Sequence, residues 1–287
     1  MFDSPDHVAS ALAEVQYLTD TDTSTTVYLA AALQRPLLVE GPAGVGKTEL
    51  AKAVATATGS ELIRLQCYEG LDEARALYEW NYRKQLLRIQ AAPDDARWDE
   101  THDDIFTDEF LLTRPLLRAI RRDDPTVLLI DEADKTDVEV EALLLEVLSD
   151  FQVTIPELGT VTATRRPFVL VTSNATRELS EALKRRCLYL YLDYPSPERE
   201  REIVGAQVPE LELALAEKLV RTAALLRTLE LKKAPSVAET IDWARTLLAL
   251  GVTGADDFDD ETIARTLGVV LKHTADHARV RNELRLP

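Results

Sequence analysis

The chain is poor in sulfur and in aromatic side chains: its 287 residues include two cysteines, one methionine and 6% Phe, Trp and Tyr. Cys67 and Cys187 each lie inside an apolar, strand-like run, and no Cys-x-x-Cys pair exists. These counts exclude a disulfide framework and a cysteine metal site. We expect a reduced, cytosolic protein. His273 and His277 share a helix face without a carboxylate-rich companion motif, so we assign no histidine metal site.

Positive charge is scarce as well, because 33 Lys and Arg residues face 50 Asp and Glu residues and the net charge is -17. Proteins that bind the phosphate backbone of nucleic acids usually present a basic face. We therefore expect no nucleic acid partner. Residues 1–6 contain no basic segment before an apolar one, and no apolar run approaches the ~20 residues of a membrane span. We expect neither secretion nor membrane insertion.

Apolar runs of strand length alternate with helical patterns. The runs are residues 35–40, 61–67, 126–131, 168–174 and 187–192. This alternation predicts an α/β fold with a parallel sheet, helices on both faces, and a ligand beyond the carboxyl ends of the strands. After residue 195 the pattern is helical only, with start signals at Ser196–Pro197 and Ser236–Glu239 and a break at Gly251 and Gly254. We expect domains at 1–195 and 196–287, the second a bundle of about four helices.

Residues 41–48 read Gly-Pro-Ala-Gly-Val-Gly-Lys-Thr, which fits the phosphate-binding pattern G-x-x-x-x-G-K-[ST]. An apolar run precedes the motif and an alanine-rich helical segment follows it, as this loop requires. We expect Lys47 to reach the β and γ phosphates of ATP or GTP and the Thr48 hydroxyl to bind Mg²⁺. The alternative is a glycine-rich turn before an ordinary helix. The candidate nucleotide contacts are Gly41, Pro42, Ala43, Gly44, Val45, Gly46, Lys47, Thr48, Glu49 and Asp131.

Two other strand ends carry polar groups suited to hydrolysis. The run at 126–130 ends in Asp131-Glu132, where Asp131 would help to hold Mg²⁺ and Glu132 would polarise the attacking water. The run at 168–173 ends in Asn174, which would orient that water or contact the γ-phosphate. The alternatives are an acidic strand end before a solvated helix and an ordinary asparagine turn.

A helical segment ends in Lys184-Arg185-Arg186. One interpretation is that these cations stabilise the negative end of the helix. The other is an arginine finger, a guanidinium that stabilises transition-state charge in the site of a neighbouring subunit. We favour Arg186 as this finger because it immediately precedes the last strand, with Arg185 as a second contact or a helix-end cation.

In this order, these motifs resemble an AAA+ ATPase of the MoxR family, and within it the CoxD-like branch, over residues 25–287. The general marks are Val-Glu-Gly-Pro-Ala-Gly-Val-Gly-Lys-Thr-Glu-Leu and Ala-Leu-Lys-Arg-Arg-Cys-Leu-Tyr-Leu; the narrower ones are Tyr78-Glu-Trp80-Asn-Tyr82 and Ala-Pro-Ser-Val-Ala-Glu-Thr-Ile-Asp-Trp. The resemblance implies a cytosolic, ring-forming ATPase, expected to be a hexamer, with a helical lid. It also implies a chaperone role in metalloenzyme maturation, with a von Willebrand A domain protein as partner.

Two added segments agree with this resemblance. The connection from residue 67 to 127 is far longer than a parallel crossover requires, so it must hold more than one helix. We expect residues 94–108 to form a loop there, and the aromatics Tyr78, Trp80 and Tyr82 to pack in the core or form an interaction surface. Residues 151–155 and 160–164 alternate apolar and polar side chains around a Pro-Glu-Leu-Gly turn, which predicts a β-hairpin.

One position departs from the family pattern, and several functions stay open. Many AAA+ proteins begin a lid helix with an arginine that touches the γ-phosphate, whereas this chain has Val237 there. The favoured function is an ATP-driven remodeller, with a gas-vesicle or metal-chelatase type of motor as the second choice of client. A small-molecule phosphotransferase and a nucleotide-gated scaffold are the alternatives from other classes.

Overall fold

The computed structural model describes residues 1–91 and 104–287. These residues form two compact units. The first comprises Met1–Val15, Thr19–Glu40 and Thr48–Tyr191; the second comprises Gln16–Leu18, Gly41–Lys47 and Leu192–Pro287. Most of the glycine-rich motif therefore groups with the C-terminal residues. Throughout the described ranges, no helix is long and apolar enough to cross a membrane.

The strands between residues 1–91 and 104–287 fall into three sheets. In chain order they are β1 Leu37–Glu40, β2 Glu61–Gln66, β3 Tyr78–Trp80, β4 Leu111–Thr113, β5 Thr126–Asp131, β6 Gln152–Ile155, β7 Gly159–Thr162, β8 Phe168–Ser173 and β9 Leu188–Tyr191. Five of them form the central sheet in the order β2-β5-β8-β1-β9, and every pairing in it is parallel. All residues of β5 and β8 are buried, as continuous apolar runs covered on both faces should be. The predicted α/β class is confirmed.

Eight helices are described around this sheet. They are α1 Pro5–Glu14, α2 Thr21–Ala32, α3 Lys47–Ala57, α4 Glu73–Ala76, α5 Tyr82–Gln90, α6 Pro115–Ile120, α7 Val138–Asp150 and α8 Glu181–Arg186. Their starts follow local chemistry: the side chains of Ser4, Asp20 and Ser180 each accept a backbone N–H in the first turn that follows. Helix α3 ends before Gly59, whose φ of 60° suits a glycine at a helix terminus.

The long crossover between β2 and β5 contains α4, α5 and α6, as its length predicts. It also contains the antiparallel pair β3–β4, which we did not predict. Trp80 is buried against Phe106, and Tyr78 packs partly buried against the same core, whereas Tyr82 is 62% exposed. The core interpretation therefore holds for Tyr78 and Trp80 and not for Tyr82. The loop expected at residues 94–108 lies mostly outside the described residues, and its last residue begins the 3₁₀ turn Asp108–Phe110.

The hairpin predicted before the Asn174 strand is confirmed. Strands β6 and β7 pair antiparallel, with Val153 opposite Val161 and Ile155 opposite Gly159. Val153 and Ile155 are buried and their neighbours are exposed, which is the alternation that the sequence shows. Phe151, Val153 and Ile155 belong to the same buried cluster as the apolar side chains of α7, so the hairpin packs onto the core beside that helix.

The C-terminal residues form five helices, so our expectation of about four was one too few. They are α9 Pro197–Gln207, α10 Leu213–Thr228, α11 Val237–Ala249, α12 Asp260–Val270 and α13 Thr274–Glu283. Their core contains Trp243 and Phe258, both fully buried in an edge-to-face contact. The capping box of Ser236 and Glu239 is present at the start of α11, and Ser196 caps α9. His277 Nε2 lies 3.0 Å from the Leu271 carbonyl oxygen.

Candidate nucleotide and hydrolysis site

The glycine-rich loop connects β1 to α3 and has the geometry of a phosphate cradle. The φ values of Gly41, Gly44 and Gly46 are 150°, 77° and 102°. Glycine adopts such positive φ values without the strain that a side chain would cause. The Lys47 side chain is buried, and its Nζ donates to the carbonyl oxygens of Gly41 at 2.6 Å and Pro42 at 2.7 Å. A buried ammonium group beside a glycine-rich loop at a helix N-terminus fits the phosphates of a nucleotide.

The loop is also packed against the start of helix α11. A Cβ atom on Gly44 would overlap the Cβ and Oγ atoms of Ser236. The Ala238 amide donates to the Gly44 carbonyl oxygen at 3.3 Å. On the other side, the Tyr17 hydroxyl donates to the Gly46 carbonyl oxygen at 3.3 Å. The loop backbone is therefore held by two other parts of the second unit, the start of α11 and Tyr17. Val237, at the position of the missing lid arginine, is buried.

Thr48 and Asp131 converge at the carboxyl end of β5. The Thr48 hydroxyl donates to Asp131 Oδ1 at 3.0 Å, and Asp131 is buried. A hydroxyl and a carboxylate are hard oxygen ligands of the kind that Mg²⁺ takes beside a nucleotide, so the predicted pair fits this ion. Exposed Glu49, one residue further on, instead accepts a hydrogen bond from Lys52 at 2.6 Å on its own helix.

Glu132 stands on a strained backbone and its side chain is held by three donors. Its φ of 58° lies in the left-handed region, and its backbone amide donates to the Thr172 hydroxyl at 2.8 Å. Oε1 accepts from Asn174 Nδ2 at 3.3 Å, and Oε2 accepts from Gln66 Nε2 at 2.8 Å and Lys135 Nζ at 2.7 Å. The structure thus brings the predicted residues Glu132 and Asn174 together.

Asp134 fixes the turn that carries Asn174, a task that the sequence analysis did not assign. Its buried carboxylate accepts from the backbone N–H of Asn174 at 3.2 Å, from the backbone N–H of Thr176 at 3.0 Å and from the Thr176 hydroxyl at 2.5 Å. Burial opposes ionisation of this carboxyl, but the hydrogen bonds from Thr176 and Asn174 outweigh it and lower the Asp134 pKa. The turn is therefore anchored by a charged acceptor.

Sequence reasoning also missed Arg64 and Gln66 on β2 and Lys135 in the turn after β5. The Arg64 guanidinium donates to Asp131 Oδ2 from Nε at 3.0 Å and from Nη2 at 2.5 Å. Arg64 also donates to the Gln66 side chain. The period of two in the sequence places the polar residues Arg64 and Gln66 on one face of β2, but it does not show that this strand pairs with β5.

Cys67 follows β2 and is not a nucleophile. Burial, and then the negative charges of Asp131, Asp134 and Glu132, raise the pKa of its thiol to about 12. The thiol is therefore protonated at neutral pH, and the chemistry at this sheet edge belongs to the carboxylates.

The predicted helix-end cations lie near the amino ends of the parallel strands, opposite the carboxyl ends that carry the acidic residues. Arg35, which precedes β1, donates to the carbonyl oxygens of Arg185 at 2.8 Å and Arg186 at 3.2 Å. Leu188 pairs with Leu37 at the start of β1, so the arginine pair lies at the amino ends of the strands and Glu132 at the carboxyl ends. Strands of this length span roughly 13 Å or more.

The side chains at this edge differ in their contacts. Lys184 Nζ pairs with Glu178 at 2.9 Å, and Arg186 Nε donates to the Ser149 hydroxyl at 2.6 Å. The side chains of Arg185 and Arg186 are both exposed. The structure therefore does not bring the arginine pair together with Glu132 in one subunit.

Comparison with known proteins identifies the family. Residues 37–192 match the profile described as AAA, the ATPase family associated with various cellular activities. A solved RuvB mutant from Thermotoga maritima shares the fold, with a TM-score of 0.51 at 16% identity over 99% of this chain and 79% of that one.

Three related proteins agree with this family assignment. NorQ of Paracoccus denitrificans is 28% identical over 75% of this chain and 73% of its own. The denitrification regulatory protein NirQ of Stutzerimonas stutzeri is 23% identical over 83% of this chain and 84% of its own. Chaperone protein ClpB 2 of Parasynechococcus marenigrum is 36% identical over 47% of this chain, which spans only 13% of that protein. NorQ and NirQ are MoxR-family AAA+ proteins, so the predicted resemblance to that family is confirmed. The chain belongs to the AAA family and is an ATPase.

Proposed function

We propose that the chain is a MoxR-type remodeller of the CoxD-like branch, which uses ATP hydrolysis to assist the maturation or metal-centre assembly of a metalloenzyme. The observation that carries the chemistry is the meeting of Glu132 with Asn174 one residue beyond the Thr48–Asp131 pair. The match with NirQ, whose name describes a denitrification regulatory protein, over more than four fifths of both chains supports the client class.

In this proposal the phosphates of ATP lie on the backbone amides of the glycine-rich loop, with Lys47 neutralising the β and γ groups. Thr48 and Asp131 would hold the Mg²⁺ ion, which supplies positive charge to the phosphate oxygens. Each oxygen of a carboxylate has two lone pairs and can accept two hydrogen bonds. Among the described contacts, Glu132 Oε1 accepts one, from Asn174. Oε1 therefore has the capacity to take the proton of the attacking water, while Asn174 orients both.

The active site would be completed by a second copy of the chain. The arginine pair lies at the amino ends of the strands and Glu132 at the carboxyl ends. The arginine that stabilises the transition state in one subunit would therefore come from its neighbour. Such an arrangement repeats head to tail and closes into a ring, for which we propose a hexamer. A von Willebrand A domain protein would be the partner that presents the client.

Two substitutions separate nucleotide binding from hydrolysis. Glu132→Gln keeps a group that can hold water but cannot take its proton, so ATP affinity should stay near wild type while turnover falls at least about 100-fold. Lys47→Ala should lose ATP affinity, because the β and γ phosphates lose their counter-charge. Labelled ATP titration and phosphate release measure the two effects, and Glu139→Gln, an exposed change on α7, is the matched control.

Phosphate release without any added acceptor distinguishes the ATPase from a phosphotransferase, and sustained release distinguishes it from a scaffold that binds ATP without turnover. Hydrolysis at the wild-type rate in Glu132→Gln would remove Glu132 from its role. For the client, metalloenzymes are purified from a deletion strain carrying wild-type or Glu132→Gln protein, and their metal content and activity are compared. We expect a metal-deficient, inactive enzyme with Glu132→Gln, and equal metal content in both strains would contradict the proposed maturation role.

A further inference from the structure

The Asp131 carboxylate already has a cation beside it, supplied by the chain itself. Arg64 lies on β2 next to β5, and two of its nitrogens donate to Asp131 Oδ2 at 3.0 and 2.5 Å. The Asp131 side chain is 3% exposed, whereas that of Arg64 is 48% exposed. One partner of this ion pair is therefore fixed in the core, and the other can move into solvent.

The hydrogen-bonding capacity of Asp131 is full. A carboxylate offers about four lone-pair sites, two on each oxygen. Oδ1 accepts from Thr48 at 3.0 Å and from Thr172 at 2.5 Å. Oδ2 accepts twice from Arg64, and the Thr48 hydroxyl lies 3.3 Å from it as well. A magnesium ion, or a water molecule bound to it, can reach Asp131 only if one of these donors leaves.

Arg64 is the donor that can leave with least disruption. Thr172 is buried, and its hydroxyl also accepts from the Glu132 amide, so its departure would leave a buried amide unpaired. Thr48 is itself the proposed second ligand of the ion. The Arg64 side chain is half exposed, and water replaces the hydrogen bonds it loses.

We propose that Arg64 competes with Mg²⁺ for Asp131, so that the guanidinium must leave before the metal complex of the nucleotide is fully bound. Arg64 is thus a positioning residue that raises the Mg²⁺ concentration needed for hydrolysis. It keeps the buried carboxylate neutralised at low Mg²⁺. The inference rests on the proposed role of Asp131 and Thr48 as the Mg²⁺ site, and it adds a residue that opposes the metal rather than binding it.

The test measures metal affinity directly, with Mn²⁺ as the probe. Mn²⁺ is titrated into ADP-loaded protein, and the free ion is followed by its paramagnetic resonance signal. Arg64→Gln should tighten Mn²⁺ binding about fivefold, the effect of losing one partly exposed ion pair. Arg64→Lys keeps the charge without the double contact and should fall between wild type and Arg64→Gln.

The matched control is Arg118→Gln. Arg118 lies on α6 and pairs with Glu61, the first residue of β2. This variant therefore loses an arginine ion pair to the same strand, far from Asp131, and should bind Mn²⁺ like wild type. Asp131→Ala separates the two layers of the proposal. If Asp131→Ala binds Mn²⁺ as tightly as wild type, the proposed metal site fails, and the inference fails with it.

If Asp131→Ala weakens Mn²⁺ binding while Arg64→Gln leaves it unchanged or weaker, the metal site stands and the competition is overturned. Thermal melts check that each variant is folded. Should Arg64→Gln fail to fold, Arg64→Lys decides: tighter Mn²⁺ binding than wild type supports the competition, and equal or weaker binding overturns it.

Discussion

The Thr172 hydroxyl forms hydrogen bonds with both acidic residues of the site, Asp131 and Glu132. It donates to Asp131 Oδ1 at 2.5 Å and accepts from the Glu132 amide at 2.8 Å. One side chain on β8 thereby sets the position of the proposed metal ligand and of the backbone that carries the proposed base. Because Glu132 has a left-handed φ, which costs a non-glycine residue of order 1 kcal/mol or more, this amide contact helps to keep the turn in place.

We expect Thr172→Val, which has almost the same shape, to lower both stability and turnover. It leaves the Glu132 amide without its acceptor and removes one of the two donors to Asp131 Oδ1, at a cost of about 2 kcal/mol. Urea unfolding measures the loss, and phosphate release measures the turnover. The control is Thr126→Val at the other end of β5, where a buried hydroxyl donates only to the Asp124 carbonyl oxygen. A Thr172→Val protein with wild-type turnover would show that the hydroxyl does not position Glu132.

At this scale the sequence identifies residues better than it identifies their partners. Lys47, Thr48, Asp131 and Glu132 follow from motifs with fixed spacing. Arg64 and Gln66 do not, because their contacts with the acidic pair depend on β2 lying beside β5 with Gln66 opposite Asp131. Strand order and register are set by the packing of the whole sheet, so no local pattern around residue 64 reveals them.

Among the elements, the loop of residues 41–47 and the start of α11 depend on each other. Gly44 has a φ of 77°, and a side chain there would overlap Ser236. Ser236 is itself fixed, since it caps α11 and exchanges hydrogen bonds with Glu239. The conformation of the loop is therefore set partly by a helix nearly 200 residues further along the chain.

Gly44→Ala should lower nucleotide affinity by at least about tenfold, because left-handed strain and overpacking each cost 1 kcal/mol or more. Gly59→Ala is the control. Its φ of 60° brings the same kind of strain, but no atom lies within 4 Å of the added methyl group. ADP titration should show affinity within twofold of wild type for Gly59→Ala. Equal affinities in the two variants would mean that contact with Ser236 does not shape the loop.

Elements with strong local signals were predicted well, and short ones were not. Strands β5 and β8 are continuous apolar runs, and the β6–β7 hairpin shows alternation around a turn. Strands β3 and β4 have three residues each, too few for a period of two to stand out from chance. The five C-terminal helices were taken for about four because only residues 271–273 separate α12 from α13, and this connection contains neither glycine nor proline.

At the scale of the whole molecule, charge limits how copies can associate. Each chain carries a net charge of -17, so neighbouring subunits repel one another unless cations lie at the contact. Arg185 and Arg186 are exposed cations on an acidic protein, and a bound nucleotide adds further negative charge to the surface they would approach. The same pair can therefore contribute to both assembly and catalysis in the proposed ring.

Mixing two inactive variants tests whether the arginine acts between subunits. Arg186→Ala should bind ATP normally and lose most turnover, since an arginine finger contributes about 10³ to 10⁵ in rate. Lys47→Ala should be inactive because it does not hold ATP. In a mixture, the intact Lys47 site of one variant meets the intact Arg186 of the other, so phosphate release should return although neither protein has it alone.

Arg185→Ala, mixed in the same way, shows which arginine is required, and Arg118→Ala is the control that should keep its own activity. Size analysis must show that the variants co-assemble; a co-assembled mixture without restored activity would place Arg186 outside the neighbouring site.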